Sequence, residues 1–126
     1  MQNKDKINTP GTDYTNAAKP GTVVALGMFD GMHVGHKKII DATVLIARQS
    51  GLVPAVFTFK NHPQELFGKK VLRLCSNETR AALMRRQGIE LVDEVEFTSA
   101  IRDLSAESFI RMLAERLNPK IIDCRV

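Results

Sequence analysis

The residues of this chain best suited to chemistry are concentrated in one segment, Gly27-Met28-Phe29-Asp30-Gly31-Met32-His33-Val34-Gly35-His36. Two histidines stand three residues apart where a helical pattern begins. A helix N-terminus offers unpaired N–H groups and the positive end of a dipole, both of which favour phosphate. Imidazoles beside it can donate hydrogen bonds to phosphate oxygens, and Gly35 between them removes a side chain so that phosphate and backbone approach closely. The segment is neither GxxxxGK[ST] nor GxGxxG. With no P-loop lysine, the histidines are left to stabilise the phosphate charge. A single histidine near a helix start is commonly structural; two at this spacing, with glycines before and between them, point to a ligand. A zinc site needs three or four ligands, and His62 is the one further histidine, so no metal centre is expected.

The elements around this segment alternate. Thr22 to Leu26 is a continuous apolar, β-branched run, the pattern of a strand buried on both faces. From Val34 to about Gln49, Ile39, Ile40, Thr43, Ile46 and Ala47 recur at helical spacing, and Gly51 ends the helix. Val53 to Phe59 reads as a second strand, broken by Asn61-His62-Pro63. Ser76 or Asn77 caps a helix to about Gln87, closed by Gly88, and Leu91 to Phe97 is a third strand. Ser105 caps an amphipathic helix whose core face is read as Phe109, Ile110, Leu113, Ala114 and Leu117. Asn118-Pro119 stops it, and Lys120 to Val126 begins a fourth strand. The order β-α-β-α-β-α-β implies right-handed crossovers and an α/β doubly wound parallel sheet. In such sheets ligands bind beyond the carboxyl ends of the strands, where the His33/His36 segment lies.

Composition excludes other classes. The 126 residues make one domain at most, and 44% hydrophobic with 25% charged is an ordinary globular balance. Residues 1–20 lack a hydrophobic period and read as a flexible leader before a domain at 21–126. Met1 to Asn16 has no apolar core and is no secretory signal. No apolar run approaches the roughly 20 residues that cross a bilayer, so no membrane partner is expected. The net charge of +4 is mild, Lys and Arg are scattered, and no basic stripe with interleaved aromatics marks a nucleic-acid binder. Arg73, Arg80, Arg85 and Arg86 are within reach of an anionic ligand in principle, but a solvated helix face is the stronger reading. Cys75 and Cys124 form no CxxC or Cys/His cluster and read as buried apolar residues of a reducing, cytoplasmic compartment.

Three motifs in order carry a resemblance. The first, Gly27-x-Phe29-Asp30-Gly31-x-His33-x-Gly35-His36, resembles the HxGH signature of the nucleotidyltransferase superfamily. Thr58-Phe59-Lys60-Asn61-His62-Pro63 is similar to a TFxPHP segment at the end of a second strand, with Asn61 in place of the usual proline. Leu104-Ser105-Ala106-Glu107-Ser108-Phe109-Ile110 is similar to an LSAExFI helix start. Together, from Thr22 to Leu117, they resemble the FMN adenylyltransferase module of bacterial bifunctional FAD synthetases (riboflavin kinase/FMN adenylyltransferases).

The resemblance implies a Rossmann-like sheet of the nucleotidyltransferase type and transfer of AMP from ATP to FMN, giving FAD and pyrophosphate. It implies that His33 and His36 are catalytic. ATP contacts would come from Gly27, Met28, Phe29, Asp30, Gly31, His33, Gly35 and His36, with Asp30 fixing the loop. Phe59, His62 and Pro63 would lie on the flavin side, and Mg²⁺ would arrive with ATP, held through phosphates and water. The family pattern continues with a glycine-rich FxFG-like motif and an ISSTxIR segment, neither of which occurs here. The sheet is therefore expected to be C-terminally incomplete, with an open edge suited to self-association, and the riboflavin kinase domain is absent. Two alternatives stand beside FAD synthesis: a nucleotide-binding fragment without turnover, and a cytidylyltransferase of the same superfamily.

Overall fold

The computed structural model describes residues 8–9, 12–13, 20–29, 34–68 and 76–123. Four strands form one parallel sheet: β1 (Thr22–Leu26), β2 (Val53–Phe59), β3 (Leu91–Val95) and β4 (Pro119–Asp123), in the order β3-β2-β1-β4. Between them run the helices α1 (Val34–Ser50), α2 (Asn77–Arg86), α3 (Ser99–Arg102) and α4 (Ala106–Leu117). The chain adds β2 and β3 on one side of β1, then returns to place β4 on the other. That reversal makes the carboxyl ends of β1 and β4 the topological switch point, the crevice where open α/β sheets bind ligands.

Alternation along the strands explains why helices cover both faces. Ala25, Val56 and Val92 face α1 and α2, where they bury Ile40, Val44, Ala81 and Met84. The other parity, Val24, Ala55, Phe57 and Leu91, packs under Leu113 and Leu117 of α4. Full burial of one such aliphatic side chain contributes about 2 kcal/mol. Gly51, at φ +69°, ends α1 in a Schellman turn, with the Leu52 N–H donating to the Ala47 carbonyl at 2.9 Å. Ser76 and Ser105 cap α2 and α4 by accepting from the N–H groups of Thr79 and Ser108.

The structure departs from the sequence reading outside the loop after β1 too, beginning with the short helix α3 and a 3₁₀ turn at Pro63–Phe67, neither of which the pattern predicts. The first leader segment, where no element was expected, includes a two-residue antiparallel ladder, Asn8–Thr9 with Thr12–Asp13. Strand β3 stops at Val95 rather than Phe97, because the Phe97 backbone is taken by a side chain from the β2 turn. On α4, Ile110 and Ala114 are exposed; Phe109, Met112, Leu113 and Leu117 make the packed face, since Ile110 and Ala114 lie further round the helix than the sheet reaches. Arg80, read as solvated, is buried. Cys75 and Cys124 lie outside the described residues.

One buried ion pair joins the sheet to α4. Arg116 grips Asp93 of β3 with two bonds of 2.7 and 2.8 Å, and Asp93 is 6% exposed. Arg116→Met strands the carboxylate beneath the helix, and we expect a loss of about 2–3 kcal/mol, below the range for fully buried pairs because the arginine is partly hydrated. Urea unfolding of the two proteins measures it; an unchanged midpoint would show the pair adds nothing. On α3, Arg102 lowers the Asp103 carboxyl by hydrogen bond and charge, at a surface-exposed pair.

Candidate functional site

The crevice is built from three strand ends. Beyond β1, Gly27 and Phe29 act as one unit: a Cβ on Gly27 would stand 2.9 Å from the Phe29 ring, so only glycine lets the ring fold back over the chain. Phe29 itself takes a left-handed backbone, φ 54°, uncommon for a bulky residue. Its ring is buried, and that burial offsets the backbone cost. The same ring meets the His36 imidazole edge to face, with centroids 5.4 Å apart, in the first turn of α1. Gly27, Phe29 and His36 are thus brought together at the end of β1. Among the described residues, a Cβ on Gly35, beside His36, would meet nothing within 4 Å beyond its own helix backbone. Asp30, Gly31 and His33 lie outside the described residues.

The turn after β2 is held by amides rather than by proline. Asn61 donates from Nδ2 to the Phe97 carbonyl at 3.1 Å and accepts the Phe97 N–H at Oδ1 at 2.7 Å. Asn77, opening α2, donates to the Lys60 carbonyl at 3.1 Å. These bonds give the turn a fixed shape where the resemblance had a proline. His62 caps the 3₁₀ turn Pro63–Phe67: its Nδ1 accepts the Gln64 N–H at 3.1 Å while the Glu65 carboxylate accepts the His62 N–H at 3.0 Å. With Nδ1 accepting, a neutral His62 carries its proton on Nε2, and Nε2 becomes the ring atom open to a ligand. Pro63 begins the turn, where its missing N–H costs nothing. Phe67 at the far end packs under the Arg102 guanidinium, 5.8 Å from the ring centroid, tying the turn to α3. Phe59 is half-buried between Phe57 and Phe97, with edge-to-face centroids at 5.5 and 5.0 Å. The ring is thus packed at the margin of the core.

Arg80, read from its helix as a solvated charge, is instead turned inward. From α2 its guanidinium donates to the Met28 carbonyl at 2.7 Å and the Phe59 carbonyl at 2.9 Å, and pairs with Glu94 at 3.1 Å. The Thr58 hydroxyl donates to the same Met28 carbonyl at 3.3 Å. An arginine on a polar helix reads as a surface charge; only the arrangement of strand ends turns it inward. Among the described residues no three His, Cys, Asp or Glu side chains gather as a cation site. None of the described helices is long and apolar enough to cross a membrane.

Comparison with known proteins accords with this arrangement. The family model for FAD synthetase matches residues 15–124. The bifunctional riboflavin kinase/FMN adenylyltransferase of Listeria monocytogenes is 38% identical over 91 residues, covering 70% of this chain and 29% of that protein. The Bacillus subtilis protein of the same description is 36% identical over 101 residues, 77% of this chain and 32% of the relative. The chain thus spans about a third of the length of the curated relatives it matches. A crystal structure described as a macrolide-efflux protein from Streptococcus pneumoniae superposes with a TM-score of 0.78 at 27% identity, over 98% of this chain and 39% of that one. The shared fold is the doubly wound α/β sheet. With the family pattern running through all four strands and through the glycine-histidine loop at their switch point, the chain belongs to the FAD synthetase family.

Proposed function

We propose that this chain carries out FMN adenylyl transfer: a phosphate oxygen of FMN attacks the α-phosphorus of ATP, the α–β P–O bond breaks, and pyrophosphate leaves as FAD forms. The observation that supports the reading is that Gly27 and Phe29 follow β1 at the β1/β4 switch point while His36 stands in the first turn of α1, against the Phe29 ring. The transfer demands alignment and charge stabilisation more than a protein nucleophile. His33 and His36 supply donors to the triphosphate, the α1 terminus adds N–H groups, and Gly27 with Phe29 fixes the loop's path. Asp30 and Gly31 complete the loop, and Met28 contributes its backbone. Phe59, His62 and Pro63 form the flavin side, with His62 Nε2 as its donor. Mg²⁺ enters with ATP, coordinated by phosphate and water. The proposal covers adenylyl transfer alone and assigns no riboflavin phosphorylation to these residues.

FAD formation from FMN and Mg-ATP, followed by chromatography, tests the reading, with the His33→Ala/His36→Ala double variant as control. FAD from the unmutated chain alone supports it. ATP binding without FAD from a folded chain would leave a nucleotide-binding protein, and turnover with CTP in place of ATP would favour cytidylyl transfer. Gly35→Ala gives a finer check. Because the added methyl meets nothing among the described residues beyond its own helix and alanine favours helix by up to about 1 kcal/mol, the variant should melt at or above the parent's temperature. If phosphate approaches there, ATP affinity nevertheless falls about tenfold in calorimetry; equal affinity would remove Gly35 from the site.

A further inference from the structure

We infer that Arg80 is a positioning residue: it sets the spacing between the loop after β1 and the turn after β2, and so aligns what the two segments hold. The side chain is 2% exposed, and its fork ends on the Met28 and Phe59 carbonyls and on Glu94. A buried cation needs a counter-charge, which among the described residues Glu94 supplies. Its two other acceptors are backbone carbonyls from different strand ends, both at the carboxyl edge where ligands enter such sheets. The planar guanidinium reaches all three at once, which the single-point ammonium of lysine cannot do. Among the described residues its Nε finds no partner, so the group leaves one buried donor unsatisfied while Nη1 and Nη2 address the loops. Stability alone would favour a fully satisfied pairing. Because the acceptors are main-chain atoms, the link holds whatever side chains occupy positions 28 and 59.

The alignment of two ligands rests on the proposed function; the setting of the two loops does not. The experiment compares the unmutated chain with Arg80→Met, Arg80→Lys and the control Arg116→Met, which removes an ion pair on the α4 face. Hydrogen exchange is read at the Gly27 amide, bonded to the Phe57 carbonyl, and at the Lys60 amide, bonded to the Val95 carbonyl. Calorimetry gives affinities for Mg-ATP and for FMN. In both Arg80 variants we expect faster exchange at Gly27 and Lys60, with both affinities about ten- to a hundredfold weaker. The control should leave both affinities unchanged, and its exchange at the two amides gives the rise that lost stability alone produces, which the Arg80 variants should exceed. Arg80→Lys keeps a charge opposite Glu94, so it carries the test if Arg80→Met fails to fold. Exchange in the folded variants no faster than in the control overturns the inference, as does faster exchange with affinities intact. If the unmutated chain binds neither ligand, the proposed function fails, and exchange at the two amides still decides whether Arg80 sets the loops.

Discussion

His36→Ala is expected to slow FAD formation by about 10²- to 10³-fold, the usual cost of deleting one donor aimed at developing charge. The fold should barely notice. His36 sits in the first turn of α1, half-exposed, and its edge-to-face contact with Phe29 contributes about 1 kcal/mol, or roughly 5 °C in melting temperature. The measurement is therefore a pair: steady-state FAD formation beside a thermal melt. A large rate loss with a small melting shift assigns His36 to the reaction. A rate loss that merely follows unfolding would return it to a packing role. A single variant at His33 should behave alike, because the motif gives the two imidazoles the same task.

Phe29→Ala should produce the largest stability loss, about 3–4 kcal/mol by urea unfolding. The ring is buried, and a Cβ that would collide with it defines why position 27 is glycine. Removing it takes away the packing that compensates a left-handed backbone. Phe29→Gly separates the two effects. Glycine adopts that conformation without the roughly 1–2 kcal/mol steric cost of an L side chain, so it should destabilise less than alanine despite being smaller. If alanine proves the milder change, the backbone does not hold this conformation in solution. Both variants should lose FAD formation in step with the loosened loop.

Much of this architecture was legible from pattern. The β-branched run at 22–26 and the apolar segment at 53–59 match the observed strands, because both lie in the sheet's centre and have both faces covered. Ser76, Ser105 and Gly51 marked helix ends through local chemistry that needs no tertiary partner. Where distant residues decide, the sequence was mute. The end of β3 depends on Asn61, 36 residues away. The burial of Arg80 depends on two carbonyls that no side-chain pattern encodes. On α4, periodicity alone could not tell that the sheet would leave Ile110 at its margin. The glycine-histidine loop was recognisable by residue type, but Phe29 as the anchor beneath His36 emerges only from the fold.

The shared carbonyl of Met28 has an evolutionary consequence. Thr58 and Arg80 both donate to it, one from the neighbouring strand and one from a helix. Loss of either leaves the oxygen still bonded, whereas loss of both strands a partly buried acceptor. Substitutions at 58 and 80 should therefore show epistasis, with the double change costing more than the sum of its parts. Descendants of this chain are free to drift at one of the two positions only while the other holds.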